Sequence, residues 1–435
     1  MSVRGPVRIL IAGGGQVGLF VALGLRRLRS DEAEVTLVNP ESYMVYQSFL
    51  PEAAGGNIEP RHVVVPLRTV LKRARLITGR LAGIDHERRT ATVRPNPGGA
   101  YDLPYDVLVL ALGSVSRTLP IPGLAARAIG FKTVEEAIYL RNKVIDRMDL
   151  AESTDDDDVR ARALSFVFVG GGYAGVEALA ELEDLARDAT RYYRSVSREQ
   201  MRWVLVEAAP RILPEIDRSL GAYATELLRR RGIQVHLETR LESAQDGVVR
   251  LSNGESFEAD TIVWTAGVRA HPLLAQLGIP LDASGRVETD AFLRATSAQD
   301  VWAAGDCAAI PDAASGGTYP PTAQHALREA RQLSRNVVAT IRGGSPEPFR
   351  YRSLGSIASL GRYKGVARVL GVRLRGFPAW FVHRSYHLLR IPTFNRKVRV
   401  VMDWTVALFF PRDVAQLGSL QHPRDPFEDA ASGEG

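Results

Sequence analysis

The stretch Val7-Arg8-Ile9-Leu10-Ile11-Ala12-Gly13-Gly14-Gly15-Gln16-Val17-Gly18 decides the fold. Its first half is an apolar run of strand character. Its second half is G-x-G-x-x-G, a tight turn into a helix whose glycines let backbone N–H groups approach a pyrophosphate. One such match is weak evidence, because short glycine-rich turns arise by chance. The pattern returns at Gly170-Gly171-Gly172-Tyr173-Ala174-Gly175, directly after the run Ser165-Phe166-Val167-Phe168-Val169. Two copies in strand–turn–helix context imply two dinucleotides held by one chain, most simply a flavin and a nicotinamide. Gly13, Gly15, Gly18, Gly170, Gly172 and Gly175 are therefore candidate cofactor-binding residues for FAD and NADH.

Working outward, the first unit continues β–α–β, with a helix expected over 17–28 and a strand over 34–38. Strand-like runs follow at 62–65, 90–94 and 105–112, the last ending at Gly113. A helix is expected over 134–150. The acidic run 155–158 reads as a solvated loop. The second unit returns to a strand at 203–207 and continues to Thr261-Ile262-Val263-Trp264 and then Gly267. A last strand at 301–304 ends in Gly305-Asp306. Such alternation implies an α/β fold of parallel sheets with crossover helices. Two Rossmann-like domains are expected, the first, 1–120 and 271–342, split by the second, 121–270, with 343–435 as a C-terminal membrane-associating region.

Composition narrows the chemistry. At 435 residues with 45% apolar and 24% charged residues, the chain is an ordinary globular protein of two or three domains. Cys307 is the only cysteine, which excludes an internal disulfide and any dithiol cycle and suggests a reducing, cytoplasmic compartment. No leader is expected ahead of the first strand. The net charge of +6 is unevenly placed: residues 343–422 carry 13 Lys/Arg against Glu347, Asp403 and Asp413. The basic character belongs to one C-terminal module, which points to an anionic surface rather than nucleic acid. Two amphipathic helices are expected there, over 377–389 and 397–410, with Arg390, Arg396, Lys397 and Arg399 between them. Apolar and aromatic side chains beside a basic rim suit the plane of an anionic bilayer, and neither stretch is long enough to span one. A dimer interface or a core helix pair is the competing explanation. The acidic tail after Pro423 is expected to be unordered.

Candidate site residues follow from the same frame. Glu207 ends the second strand of the second unit, where an acid accepts from the adenosine ribose and repels a 2′-phosphate, favouring NADH over NADPH. Nearby Arg211 weakens that preference. Asn39 stands at the equivalent point of the first unit. Glu177, read as a first-turn acid of the second fingerprint helix, is either a neighbour of the nicotinamide or a dipole-favoured acid. Asp306 suits a carboxylate beside the ribityl hydroxyls, and Cys307 reads as a packed small residue. No metal constellation is present.

The chain resembles the type II NADH dehydrogenases, flavoproteins that pass electrons from NADH to quinone. The carriers include both fingerprints, the stretch from Tyr46 to Gly55, Ala111-Leu112-Gly113-Ser114, Val263 to Val268, and Ala303 to Ala308. The most family-specific is Ala323-Gln324-His325-Ala326-Leu327-Arg328-Glu329, which is similar to the quinone-site motif A-Q-x-A-x-Q with Arg328 at the second Gln. The resemblance implies FAD in the split domain and NADH in the inserted one, with hydride passing between stacked rings. It places Ala323 and Gln324 near the flavin and quinone, with His325 as a candidate proton relay. The implied function is a non-proton-pumping NADH:quinone oxidoreductase of the respiratory chain, peripheral on the cytoplasmic side of the cell membrane. Its partners would be a quinone, an anionic membrane surface and, as a further option, a second copy of the chain. Two other readings are a soluble NADH-dependent flavoprotein reductase of another acceptor and a low-turnover nucleotide-binding redox sensor.

Overall fold

The computed structural model describes residues 5–298, 300–353 and 355–416. The acidic tail after Pro423 lies outside them. Both fingerprint strands sit inside parallel sheets, as expected of an apolar run that is buried on both faces. In the first sheet the order is Val301–Ala303, Val107–Leu110, Val7–Ala12, Ala33–Asn39, Ala74–Asp85, Thr90–Pro95 and Tyr101–Pro104. The first five run parallel and the last two add on as an antiparallel meander. The second sheet, Ala128–Ile129, Thr261–Trp264, Ser165–Val169, Arg202–Val206 and Gln234–His236, is parallel throughout.

The two units are built alike down to single hydrogen bonds. Gly13 N–H donates to Val38 O at 2.8 Å, and Gly170 N–H to Val206 O at 2.9 Å. Ala111 N–H donates to Ala12 O, and Thr265 N–H to Val169 O, both at 2.8 Å. The chain leaves the first unit along Ser114–Ser116 and returns along Val268–Ala270, and these two short strands pair antiparallel. The first-unit sheet is thus completed by Val301–Ala303 after the second unit is finished.

Several local expectations shift. The first helix is Gln16–Gly24, tightening into a 3₁₀ turn at Leu25–Arg27. A Cβ on Gly24 would lie 2.1 Å from Ser334 Oγ, so this helix crosses Ala323–Ile341 at a distance only glycine permits. The run 155–158 is solvated but is no loop: Asp156 caps a helix over Asp157–Ala163 by accepting from Asp158 and Val159 N–H. Carboxylates in a first turn favour the helix dipole, so the acids start a helix that the charge count reads as a break.

The C-terminal module holds more than the two expected helices. A three-stranded antiparallel sheet, Gly355–Ser359, Gly365–Val369 and Val372–Arg375, precedes them. The helices then run over Phe377–Arg390 and Phe394–Phe409. Among the described residues, Val400 is the one buried residue of the second helix, while Phe394, Met402, Leu408 and Phe409 are exposed. Its inward face carries Asp403 and Trp404 instead. The core-pair alternative therefore falls, because this helix turns its apolar side outward. No helix among the described residues is long and apolar enough to cross a membrane.

Candidate active site

Each fingerprint turn is closed by the strand-end residue singled out above. Glu207 Oε2 accepts from Gly171 N–H at 2.5 Å and Oε1 from Ala209 N–H at 2.7 Å. Asn39 Oδ1 accepts from Gly14 N–H at 2.7 Å, while its amide donates to Glu41 O. Asn39 thus does for the first turn what Glu207 does for the second, and its amide nitrogen adds a donor that a carboxylate lacks. Arg211 is engaged with the carbonyls of Pro214 and Ile216 in its own loop.

The glycines divide into two kinds. At Gly13 (φ +104°) a Cβ would lie 2.3 Å from Ala111 O, and at Gly18 it would lie 1.8 Å from Gly13 O. Gly170 and Gly175 meet the same obstruction, with a Gly175 Cβ 2.0 Å from Gly170 O. Gly15 and Gly172 instead face open space, with no heavy atom within 4 Å of where a Cβ would stand. That space lies at a helix N-terminus with unpaired N–H groups, which is the cradle a pyrophosphate fills. Gly113 and Gly267, the other strand-end glycines, have φ of +66° and +97° and open surroundings as well.

Asp306 lies beside Ser114, whose hydroxyl donates to Asp306 Oδ2 at 2.6 Å and accepts from Lys132 Nζ at 2.5 Å. Burial lowers the Lys132 ammonium, and the Asp306 charge works against that shift. Asp306 and Ser114 line a cleft of about 360 Å³ that reaches Arg286, Tyr319 and Pro320. Cys307 is fully buried, and burial pushes its thiol up to about 11, so it is the packed residue expected and no nucleophile at neutral pH.

The family-specific motif opens the Ala323–Ile341 helix, which Thr322 caps. Ala323 is its first residue. Gln324 donates from Nε2 to Gly355 O at 3.1 Å and accepts at Oε1 from Tyr351 O–H at 3.2 Å. Arg328 donates to Gln324 O at 2.8 Å, and its guanidinium lies 4.1 Å over the Tyr351 ring. Gln324 and Arg328 therefore share Tyr351. His325 Nδ1 sits 2.7 Å from Thr322 Oγ1, and burial with the nearby Arg328 charge lowers its pKa.

Glu177 needs correction. The helix begins at Tyr173, so Glu177 lies one turn inside it and is no first-turn acid. It is buried, accepts from Ser359 N–H at 2.7 Å and lies 3.2 Å from His383 Nε2. It therefore joins the nucleotide unit to the C-terminal module. Sequence reasoning missed the rest of this joint. Glu181 and Asp184, at helical spacing from Glu177, are also buried, and burial raises Glu181 despite its partner Arg412. Arg231 pairs with Glu183 and with Asp184 and donates to Leu360 O at 2.6 Å. Four acids within eight residues of an otherwise Ala/Leu-rich helix were the available signal.

Residues 7–330 match the pyridine nucleotide-disulphide oxidoreductase family, and the chain belongs to it. Within that class it belongs with the type II NADH:quinone oxidoreductases. Over 386 residues it is 31% identical to the type II NADH:quinone oxidoreductase of Staphylococcus aureus, an alignment covering 87% of this chain and 93% of that one. Over 419 residues it is 28% identical to the type II enzyme of Mycobacterium tuberculosis, covering 93% and 89%. In fold it is similar to NDH2 of Plasmodium falciparum, solved in complex with NADH, with a TM-score of 0.88 at 18% identity over 94% of this chain and 99% of that one. The chain is an oxidoreductase of the NADH dehydrogenase type.

Proposed function

We propose that this protein oxidises NADH through a bound FAD and reduces a membrane quinone by two electrons, without moving protons across the membrane. The carrying observation is the pair of equivalent fingerprint turns, each with an open cradle at its middle glycine. FAD, when bound, supplies the redox chemistry, taking hydride from NADH and releasing electrons to the quinone. Residues 1–120 and 271–342 are the parts we assign to FAD, with Gly13, Gly15, Gly18 and Asn39 at the pyrophosphate end and Gly113, Asp306 and Ala323 at the ring end. Residues 121–270 are assigned to NADH, held by Gly170, Gly172, Gly175, Glu207 and Gly267. Glu177, which we assign to the nicotinamide side, is kept in place by Ser359 and His383.

Gln324 and Arg328 are assigned to the quinone, where Arg328 offers fixed positive charge to an oxygen gaining electrons. The exposed apolar side of the Phe394–Phe409 helix supports peripheral attachment to a bilayer, with residues 343–435 as the attaching region; the cytoplasmic side is the one we assign. The test is NADH oxidation by purified protein with a soluble quinone, with NADPH as control donor and a flavin spectrum taken first. Fast turnover with NADH and quinone is expected. A bound flavin that NADH reduces and quinone fails to reoxidise would refute the acceptor assignment while leaving the donor site intact.

A further inference from the structure

The Ala323–Ile341 helix carries Arg328, Arg331 and Arg335 at spacings of three and four, which sets three guanidinium groups along one face. Arg331 and Arg335 are exposed. Arg390, the last residue of the Phe377–Arg390 helix, brings a fourth, with its guanidinium 5.2 Å from the Tyr386 ring centre. Partial burial of its inner atoms, joined by the like charges of Arg390, Arg328 and Arg335, holds the Arg331 guanidinium below its ordinary value. Among the described residues no carboxylate forms an ion pair with any of the four. Elsewhere in the fold the buried arginines Arg231, Arg384 and Arg412 each meet an acid. Here positive charge accumulates and is left uncompensated.

The same corner also exposes large apolar side chains. Leu389, next to Arg390, is 71% exposed, and Phe394, which opens the following helix, is 81% exposed. A free anion would need only the cations. A phospholipid needs cations with apolar surface immediately beside them. We propose that the arginine row binds the phosphodiester headgroup of an anionic phospholipid, with acyl chains along Leu389 and Phe394. The proposal rests on the membrane reading above and gives it a specific seat, next to the Gln324–Tyr351 end of the candidate quinone site.

The test is co-sedimentation with phosphatidylcholine vesicles, with and without phosphatidylglycerol, for the wild type and the double variant Arg331→Gln/Arg335→Gln. Both side chains are exposed and neither touches Gln324, so NADH oxidation with a soluble quinone should be unchanged. The variant should lose about thirtyfold of the preference for anionic vesicles at low salt, roughly fivefold per arginine near the surface. Its binding to pure phosphatidylcholine should not change. Retained preference would overturn the proposal and spare the membrane reading. So would an equal loss in Arg88→Gln/Arg230→Gln, which removes the same charge outside the row, or displacement of the protein by millimolar inorganic phosphate. Failure of the wild type to bind any vesicle would sink both readings.

Discussion

Replacing Glu52 by Gln should loosen the C-terminal helices from the rest of the protein. Glu52 is 1% exposed and receives Arg384 through Nε at 3.1 Å and Nη2 at 2.8 Å. The Trp404 indole N–H also donates to it, at 2.7 Å. The Arg384 guanidinium lies between two indoles, 4.1 Å from Trp380 and 4.7 Å from Trp404. Gln keeps the shape and one acceptor but leaves a buried cation without its counter-ion. Breaking one side of a buried pair costs about 3–5 kcal/mol, and the neighbouring Glu181 charge favours the lower figure. About 3 kcal/mol raises the open population roughly a hundredfold. Limited trypsin cleavage at Arg396 and Lys397, run where closing outpaces cutting, should rise by that factor. The double change Glu52→Leu/Arg384→Met removes both charges and should recover most of the loss. A rise below about fivefold in the single variant, or a double variant as labile as the single, would refute the view that charge pairing holds the module.

Three further outcomes follow from the geometry. Burial raises Glu329 to about 7, opposed by the Gly305 N–H at 2.7 Å. A raised carboxyl contributes stability that is complete below its unfolded value and lost as pH rises through the folded one. Urea denaturation at several pH values should therefore show the wild type losing up to roughly 3 kcal/mol from this group between about pH 4.5 and 7, and Glu329→Gln should lack that slope. Gly18→Ala would press a methyl to 1.8 Å from Gly13 O, so the purified variant should come without flavin absorbance; a full yellow complement would contradict the cradle. Glu207→Gln keeps only one acceptor for the N–H groups of Gly171 and Ala209 and removes the charge facing a 2′-phosphate, so the NADH/NADPH ratio in kcat/KM should fall. Full discrimination in the variant would remove Glu207 from the ribose site.

What was legible in the chain were features decided locally. An apolar run followed by glycines that no side chain can replace states both the strand and the turn, and Glu207 and Asn39 follow by position. The short strands Gly355–Ser359, Gly365–Val369 and Val372–Arg375 were not legible. Each is brief, broken by Gly or Arg, and held by the Phe377–Arg390 helix lying so close that a Cβ on Gly365 would meet Trp380 N at 2.8 Å. The burial of Glu177, Glu181 and Asp184 was not legible, because periodicity reports which residues share a side and is silent about what covers it. Their cover comes from Ser359, His383 and Arg412, far along the chain. The outward apolar side of the Phe394–Phe409 helix was readable as amphipathic, but its direction depends on Asp403 reaching His62 and Trp404 reaching Glu52.

The charged joint also sets an order for synthesis. Glu181 of the second fingerprint helix leaves the ribosome long before its counter-ion, since it meets Arg412, 231 residues later. Until that arginine emerges, Glu181 lacks its partner, although Arg187 and Arg231 already stand by Glu183 and Asp184, and the side of the helix toward the missing module stays wet. The nucleotide units can assemble early, as domains generally do during translation. The last step of maturation then waits for Arg412, and a product stopped just short of it would carry both nucleotide cradles on a body that never closes.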